Sequence, residues 1–461
     1  MHRTISQTLQ NQEEYIDLEI PEKRLNRSHY DMKHYPMPRS LQIQKARNTP
    51  YRRPIDYATI RAPRYYPYDR KYPQDIPEMN EDDNDLEEET DHKLGEGSFG
   101  CVIRGPFILS TNEINNKLYK GRMGEVFKLM INKHDFRLEI RNTLIANKID
   151  NSSSSITIEG YSILDRLDLK QLFESGDDDM KKMRQKIKGC QNIEKYLRDN
   201  VAEVYQIIYS DEGISLQYLH KYHGRNEFGI QKVLGLCFNL VKGVLRYTRN
   251  SFVHLDIKAD NIIYIPPKNG NSDKLVFIDF GISGFMKNIN LNIFRILKNI
   301  YLLPEIVANN VIIKYKHHAK SNQELFNIFK RTYEHNLNHI HKHFKDLLVY
   351  YLYNDNIILY KSELIKLFEK IMNSDESQIE AIIRHNLIYH DAYKLCFTIM
   401  ELIEQYKFRD AKYNHVIDMF YKDVLLPVAF IDPEKRASVQ SVAPKYKDFL
   451  KTLPRYLRHS I

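Results

Sequence analysis

The sequence predicts an α+β fold in two lobes, a small β-rich one followed by a larger helical one. Runs rich in β-branched and aromatic residues at 92–104, 122–132 and Val201–Tyr209 are typical of strands. From about residue 290 to 461 the apolar residues recur almost wholly at helical spacing. Because strands come first and helices second, the order favours α+β over an alternating α/β arrangement.

The spacing of apolar residues and the turn residues also predict the elements between these regions. Apolar spacing predicts helices over 134–148 and 228–250, and a mixed polar helical region over 165–200. The Ser-rich run Asn151–Ser155 indicates a loop, because such residues compete with the backbone for hydrogen bonds. Short apolar runs at 252–254, 261–265 and 275–278 indicate strands, the last two separated by a Pro-Pro-x-Asn-Gly turn.

Composition excludes several classes of protein. The chain has 461 residues, of which 42% are hydrophobic, so a substantial core can form. A net charge of +8 is too balanced to indicate a nucleic-acid or membrane binder. No charged start leads into an apolar region and no run of 18 apolar residues occurs, so we expect neither a signal peptide nor a membrane span.

The four cysteines, Cys101, Cys190, Cys237 and Cys396, are far apart, with no CxxC pair. This spacing predicts neither a disulfide framework nor a structural zinc site. Few and scattered cysteines are typical of a reducing compartment, so we expect an intracellular, cytoplasmic protein.

Residues 1–91 differ from the rest and are predicted to be a disordered tail. They hold nine of the 17 prolines, and eight of the eleven positions in Glu81–Asp91 are acidic. Such a segment cannot bury enough apolar area to offset chain entropy. It could be a simple spacer, a self-associating arm, or an arm that docks a partner or nucleic acid, since Arg and Tyr interleave between Glu22 and Tyr72.

A glycine-rich motif opens the globular part. Leu94–Val102 reads LGEGSFGCV, with glycines at the G-x-G-x-x-G spacing. Without side chains, such a turn lets backbone N–H groups approach phosphate oxygens. A dinucleotide fingerprint has the same spacing but should open a helix, whereas Cys101–Ile103 favours a strand. A glycine-rich hairpin without a ligand is the simpler alternative.

Two later motifs carry groups suited to phosphoryl transfer. Val253–Asn261 reads VHLDIKADN and supplies an Asp, a Lys and an Asn, which can orient a hydroxyl, neutralise phosphoryl charge and ligate Mg²⁺. Asp279 follows 18 residues after Asn261, in Phe277–Gly281 (FIDFG), at the end of an apolar strand. That position suits a carboxylate that holds a metal bridging phosphates.

The three motifs in this order resemble a eukaryotic-type protein kinase, across roughly residues 92–461. The composition also resembles the divergent kinases encoded by large cytoplasmic DNA viruses. The family resemblance implies a bilobal protein-kinase-like fold, ATP as the nucleotide and Mg²⁺ as the metal. It places the β-rich N-lobe at 92–212 and the helical C-lobe at 213–461.

The resemblance also implies a role for each matching residue. Asp256 would be the catalytic base and Lys258 would contact the γ-phosphate, while Asn261 and Asp279 would hold Mg²⁺. Lys128 matches the strand lysine that grips the α- and β-phosphates. Its helix partner would be Glu139, with Glu159 and Glu194 as alternatives.

The same resemblance implies a nucleotide pocket. Ile207 would lie behind the adenine, with Tyr209 and Ser210 on the hinge. The glycine-rich contacts with ATP would come from Leu94, Gly95, Glu96, Gly97, Ser98, Phe99, Gly100, Cys101 and Val102.

Three further matches concern the framework. Glu305, in Leu303-Pro304-Glu305, resembles the end of an activation segment, and Arg436 resembles the arginine that pairs with it. We therefore expect a Glu305–Arg436 ion pair. Asp391 resembles the helix aspartate that accepts hydrogen bonds from the catalytic-loop backbone, although an ordinary acid near a helix start is the simpler alternative.

The chain also departs from the family pattern. Position 255 is Leu where many members have an Arg that receives an activation-segment phosphate, and between Gly281 and Leu303 only Ser283 and Tyr301 carry hydroxyls. We therefore expect little dependence on phosphorylation there. Residues 306–390 are predicted to be a helical insertion. Its histidines, His335, His339, His341 and His343, indicate a solvated helix face, with a metal site as the alternative.

The expected function is a serine/threonine protein kinase, because Asp-x-Lys-x-x-Asn resembles that class. Small-molecule kinases of the aminoglycoside or choline type typically lack this lysine. The expected partners are protein substrates, and a virion-associated location follows only from the viral resemblance. The alternatives are a pseudokinase-type scaffold that binds proteins and a nucleic-acid binder led by the tail.

Overall fold

The computed structural model describes most of the chain beyond residue 92. The described residues are 93–97, 100–104, 113–114, 117–118, 125–164, 174–188, 190–198, 203–209, 213–224, 227–267, 272–296, 302–340, 344–406 and 411–458. They form a mixed and mostly helical structure. The predicted tail, the histidines at 341 and 343, and Tyr301 lie outside the described residues.

The first part of the structure is an antiparallel sheet of five strands. They are β1 (Lys93–Gly97), β2 (Gly100–Arg104), β5 (Val126–Met130), β6 (Ile158–Leu164) and β7 (Val204–Tyr209), and their order in the sheet is β1-β2-β5-β7-β6. A two-stranded hairpin, β3 (Glu113–Ile114) and β4 (Lys117–Leu118), is separate from this sheet. The pattern of the sequence did not predict β6, because its Ile-Glu-Gly-Tyr-Ser-Ile-Leu run leaves one face mostly exposed and contains a glycine.

The two faces of this sheet have different neighbours. Lys128 alternates with Phe127 and Leu129 along β5, so the lysine projects to the opposite side of the sheet from these two core residues. Phe127 and Leu129 pack in a cluster with Cys101, Cys190 and other residues. Two helices flank that cluster, α2 (Asp178–Ile187) and α3 (Gln191–Arg198). The sheet therefore has an apolar outer face and an inner face that carries Lys128.

A disulfide between Cys101 and Cys190 corrects one expectation. The sequence predicted no disulfide, because the two cysteines are 89 residues apart and spacing motifs detect only local pairs. The fold brings β2 against the segment that precedes α3, and both cysteines are fully buried there. The inference of a reducing compartment from cysteine spacing thus loses its basis. Cys237 and Cys396 are free and buried.

Helix α1 (Lys133–Asp150) follows β5 directly. It begins where the Asn132 side chain accepts hydrogen bonds from the amides of His134 and Asp135, and it ends at the left-handed residue Asn151. An Asn at the N-cap satisfies amides that have no partner within the helix. Helix α1 packs on β7 and on a long helix of the second part, so it connects the sheet to the helical region.

The second part of the structure is built on helices with two small sheets among them. The first sheet contains β8 (Ile214–Ser215), β10 (Ile262–Ile265) and β11 (Lys274–Phe277), and the second contains β9 (Phe252–Val253) and β12 (Gly284–Phe285). Its helices are α4 (Leu219–His223), α5 (Glu227–Arg249), α6 (Ile293–Ile296), α7 (Pro304–Tyr315), α8 (Asn322–Ile340), α9 (Phe344–Tyr353), α10 (Ile357–Met372), α11 (Glu376–Ile403), α12 (Ala411–Phe420) and α13 (Val439–Arg458). Within the described ranges, none of the helices combines the length and apolarity needed to cross a membrane.

The predicted helical region after residue 290 is present. Residues 306–390 form most of α7, all of α8, α9 and α10, and the first half of α11. Helices α8 and α10 both pack against α7. His335 lies on an exposed position of α8, and the described residues contain no group of three or more His, Cys, Asp or Glu placed to hold a metal ion.

The expected ion pair between Glu305 and Arg436 is present and fully buried. The Arg436 guanidinium donates to both carboxylate oxygens of Glu305 at 2.7 Å, and it also donates to the carbonyls of Phe430 and Ile431. Two parallel bonds fix the start of α7 against the loop before α13. The pair therefore holds a late segment of the chain against the start of α7.

We expect Arg436→Met to destabilise the fold strongly, because it leaves the Glu305 carboxylate buried without its partner. Loss of one member of a buried pair typically costs about 3–5 kcal/mol. Urea denaturation monitored by circular dichroism measures this change. The matched control is Lys451→Met, which removes an exposed pair with Asp448. Equal stability of the two variants would contradict a structural role for the buried pair.

Candidate functional site

The site begins with Lys128 in the middle of β5. Its neighbours across the sheet are Val102 on β2 and Ile207 on β7. The Lys128 ammonium lies 3.0 Å from Oδ1 of Asp279 and 3.1 Å from Oε2 of Glu139. Three segments that are distant in sequence therefore converge on one buried cation.

Glu139 comes from α1 and is completely buried. Its other oxygen, Oε1, accepts a hydrogen bond of 2.8 Å from the hydroxyl of Tyr209 at the end of β7. A Cβ atom added to Gly281 would lie 3.0 Å from Oε2 of Glu139. A larger residue at 281 would press on the carboxylate, so the glycine allows the Asp279–Gly281 segment to approach α1.

Two carboxylates share one ammonium in this cluster, and their pKa values separate accordingly. Burial raises the pKa of Glu139 to about 7, although Lys128 opposes the rise. Burial also disfavours the charged form of Asp279, but Lys128 outweighs it and holds the pKa of Asp279 below its ordinary value. Burial alone would lower the pKa of Lys128, yet Asp279 and Glu139 together raise it above its ordinary value. Lys128 and Asp279 are therefore charged at neutral pH.

The second half of the site is the loop between β9 and β10. Nδ2 of Asn261 donates to Oδ2 of Asp256 at 2.7 Å and to the Asp256 carbonyl at 2.9 Å. The Lys258 ammonium lies 3.3 Å from the same Oδ2, and its side chain is partly exposed. The loop thus presents a carboxylate, an amide and a cation within hydrogen-bonding or ion-pair distance of one another.

Ile278 links this loop to Asp279. Its amide donates to the Asn261 carbonyl at 3.0 Å, and its carbonyl lies 3.1 Å from Nε2 of His254. His254 is fully buried, and burial lowers its pKa. Because the residue before Asp279 is bonded on both sides to the 254–261 loop, the two predicted metal-binding segments are adjacent.

Helix α11 holds the loop between β9 and β10 through hydrogen bonds to its backbone. Oδ2 of Asp391 accepts from the amide of His254 at 2.6 Å, and Oδ1 accepts from the amide of Leu255 at 3.0 Å. Leu255 has a φ of 67°, which is unfavourable for a bulky residue. The predicted interaction of Asp391 with the loop backbone is therefore present, and it holds a strained turn.

Within the cluster, Asp279 also has a left-handed backbone, with a φ of 63°. Strained residues of this kind persist only where their surroundings determine them, and they concentrate at functional sites. Leu255 precedes the predicted base and Asp279 is a predicted metal ligand. Both strained positions therefore coincide with the cluster that sequence motifs identified.

The structure brings together most of the predicted side chains, with some corrections. Lys128, Glu139, Asp256, Lys258, Asn261 and Asp279 form the connected cluster described above, and Val102 lies beside Lys128. Of the alternative partners for Lys128, Glu159 is exposed on β6 and Glu194 lies on α3, near the outer face of the sheet. Glu139 is the helix acid that pairs with Lys128.

One prediction about the nucleotide pocket is wrong, the contact of Cys101 with ATP, while those for Tyr209 and Ile207 stay predictions. The Cys101 side chain lies in the apolar cluster on the outer face, because it alternates with Val102 along β2. Tyr209 is the last residue of β7, and its buried hydroxyl donates to Glu139. Ile207 pairs with Lys128 across the sheet.

The glycine-rich segment is described only in part. Gly95, Glu96 and Gly97 are in β1 and Gly100 begins β2, with Gly97 and Gly100 paired across the turn. The Leu94 side chain is exposed. Ser98, Phe99 and Ser210 lie outside the described residues. The strand–turn–strand arrangement agrees with the sequence-based choice against a dinucleotide fingerprint.

Sequence reasoning missed two residues that contact this cluster. Asn142 on α1 donates from Nδ2 to the carbonyls of Phe280 and Ser283, at 3.0 and 2.6 Å. Lys394 on α11 donates to the Leu255 carbonyl at 2.6 Å. Asn142 lies three residues after Glu139 and Lys394 three residues after Asp391, on the same helix faces. A polar residue at that spacing was the available signal.

Comparisons with known proteins add little to this geometry. No protein-family model matches the sequence, and no curated protein matches it. The chain is similar to the crystal structure of the kinase domain of PknI from Mycobacterium tuberculosis, a double mutant. The two are 11% identical over 78% of this chain and 94% of that one, with a TM-score of 0.36. So weak a similarity supports no conclusion about this chain.

We expect Lys128→Met to destabilise the protein more at pH 8 than at pH 5. Without the ammonium, the fully buried Glu139 and the partly exposed Asp279 lose their cation, and their folded-state pKa values rise above their unfolded values. Groups shifted in that direction lower stability as pH rises through the folded pKa, which is about 7 for Glu139 even in the native protein. Urea denaturation at the two pH values measures the difference, relative to the native chain.

The exposed Lys148 on α1 provides the matched control, Lys148→Met. Its stability relative to the native chain should not depend on pH in this range. A Lys128→Met penalty that is equal at pH 5 and pH 8 would show that the two carboxylates do not depend on this ammonium.

Proposed function

We propose that this chain is a serine/threonine protein kinase that transfers the γ-phosphate of Mg-ATP to protein hydroxyls. The observation that carries the proposal is the convergence of Lys128, Glu139 and Asp279 beside the loop that holds Asp256 and Asn261. Phosphoryl transfer needs positioned charge more than covalent chemistry, and this cluster provides a fixed cation, two carboxylates and an amide. The five-stranded sheet and helical second part are compatible with the kinase lobes expected at 92–212 and 213–461.

Each side chain has a role that its surroundings support. Asp256 orients the attacking hydroxyl and accepts its proton, and Asn261 keeps the carboxylate in place. Lys258, 3.3 Å from Asp256, neutralises the charge that develops on the transferred phosphoryl group. Lys128 binds the α- and β-phosphates, because Glu139 fixes its ammonium on the inner face of the sheet.

The residues present fit a magnesium ion. Nδ2 of Asn261 is bonded to Asp256, which leaves the amide oxygen as the atom that can ligate a cation. Lys128 contacts Oδ1 of Asp279, and that carboxylate is still 27% exposed. Both are hard oxygen ligands of the type that Mg²⁺ prefers. When bound, the ion would neutralise negative charge on the phosphate oxygens.

The substrate class rests on Lys258 and on the family resemblance. The Asp256–Lys258 pair occupies one loop with Asn261, as in the Ser/Thr pattern described above. A long helical insertion, α8 to α10, gives additional surface for a protein substrate. Protein hydroxyls are therefore the substrates that we propose.

Direct contacts support the start of the proposed activation segment. Asn142 fixes the carbonyls of Phe280 and Ser283 to α1. Ser283 is buried, and its hydroxyl donates to the His254 carbonyl at 2.9 Å, so it is poorly placed for modification. Leu255 provides no cation for a phosphate. We therefore propose an enzyme that does not depend on activation-loop phosphorylation.

Phosphate transfer tests the main proposal. Purified chain incubated with Mg²⁺, γ-labelled ATP and a generic basic protein should label serine and threonine. Asp256→Asn, Asp279→Ala and Lys128→Ala should each lower kcat by roughly 100-fold or more, because each removes charge placed for the transition state. Phosphoamino-acid analysis of the product identifies the residue modified.

Asp260→Asn is the matched control for Asp256→Asn, since Asp260 is exposed on the same loop. Its activity should stay within about twofold of the native chain, because the exposed Asp260 side chain has no role in the proposed transfer and surface substitutions usually have small effects. No transfer by the native chain, together with partner binding that survives Asp256→Asn, would instead favour the pseudokinase-type scaffold.

We expect kcat/KM to depend more on the Asn142 side chain than on any phosphate attached to the protein. Asn142→Leu leaves two buried carbonyls without their donor, a cost of about 1–3 kcal/mol each, and should lower kcat/KM at least tenfold. Phosphatase treatment of the native chain should leave kcat/KM within twofold. The exposed Asn192 provides the control, Asn192→Leu. A large loss on phosphatase treatment would contradict this part of the proposal.

A further inference from the structure

Helix α11 carries a buried lysine, Lys394, that has no role in the proposed transfer. Lys394 has no solvent exposure, and its ammonium donates to the Leu255 carbonyl at 2.6 Å. The same ammonium lies 3.8 Å from Oδ1 of Asp256. A fully buried lysine is rare unless it is paired, and Lys394 points at the residue proposed to be the base.

The Leu255 peptide is held from both sides by α11. Its amide donates to Asp391 and its carbonyl accepts from Lys394. Leu255 is the strained residue with a φ of 67°, and Asp256 follows it directly. The two contacts from α11 therefore determine the direction in which the Asp256 side chain leaves the loop.

The two oxygens of Asp256 have different partners. Oδ2 accepts from Asn261 and lies near Lys258, whereas Oδ1 faces Lys394. Lys258 is 41% exposed, so solvent weakens its charge, while the charge of Lys394 acts in the interior. Lys394 is therefore the buried counter-charge of the proposed base.

We propose that Lys394 is a positioning residue of the active site, which holds the strained Leu255 peptide and fixes Asp256 through its buried charge. This inference rests on the proposed phosphotransfer function. Lys394 does not touch the reacting groups itself, and it acts through Asp256. Position 255, where the loop lacks a cation, is held by a cation from α11 instead.

The charge of Lys394 depends on pH because of its burial. Burial lowers the pKa of Lys394 to about 8, against the attraction of Asp256 and Asp391. The other charged or titratable groups that face it are Lys258 on the loop and His390 on its own helix. Above pH 8 the neutral amine still donates to Leu255, but it no longer balances Asp256.

This titration separates a positioning role from a merely structural one. A folded-state pKa below the unfolded value means that the unfolded chain binds more protons between pH 8 and about 10.4, the ordinary lysine pKa. Lys394 therefore makes the fold more stable as pH rises through this window. If Lys394 positions Asp256, kcat should fall over the same window, opposite to the trend of its own contribution to stability.

The experiment compares the native chain with Lys394→Met, which keeps the shape and removes the charge. We expect kcat of Lys394→Met to be at least tenfold lower at pH 7, with KM for ATP within twofold, since Lys394 contacts Leu255 and Asp256 and not the proposed phosphate-binding Lys128. The kcat of the native chain should decline above about pH 8, and this decline should be absent in Lys394→Met. Lys370→Met, an exposed change on α10, should match the native chain.

The outcomes are distinguishable. Native phosphotransfer that depends on Asp256, together with a Lys394→Met profile equal to the native one in kcat and pH dependence, would overturn the role of Lys394 alone. Native chain without Asp256-dependent transfer at any pH would overturn the proposed function and this inference with it. If Lys394→Met does not fold, the pH profile of the native chain decides: a kcat that stays constant from pH 7.5 to 9.5 overturns the inference.

Discussion

The structure of the site depends on one ammonium group shared by two carboxylates, one fully buried and one partly exposed. Lys128 joins β5, α1 and the segment that begins at Asp279, and nothing else described in the structure neutralises both Glu139 and Asp279. Isolated buried charges are costly, so the three side chains are stable only together. Because each comes from a different element, their ion pairs also fix how the sheet, α1 and the loop meet.

A second constraint comes from α11, which holds the loop of Asp256 through its backbone. The loop contains a left-handed Leu and would not keep that conformation on its own. Asp391 and Lys394, one turn apart, bond the two sides of the strained residue. These contacts with α11 hold the loop in its strained conformation. The Glu305–Arg436 pair fixes a different part of the helical region, the start of α7.

Local motifs in the sequence predicted much of the site. Lys128, Asp256, Asn261 and Asp279 were identified from spacing and resemblance, and the Glu305–Arg436 and Asp391 contacts were expected for the same reason. The disulfide between Cys101 and Cys190 was not predictable, because the two cysteines are 89 residues apart and only the tertiary fold brings their segments together. Tyr209, Asn142 and Lys394 were also missed in their actual contacts, since each depends on tertiary packing between elements. Strand β6 was missed because its pattern is half polar.

The covalent link between β2 and the start of α3 has a mechanical consequence. The strand that leaves the glycine-rich turn cannot slide along β5 without moving a helix on the far side of the sheet. Any displacement of β2 is therefore shared with α3 and with the strand that carries Lys128.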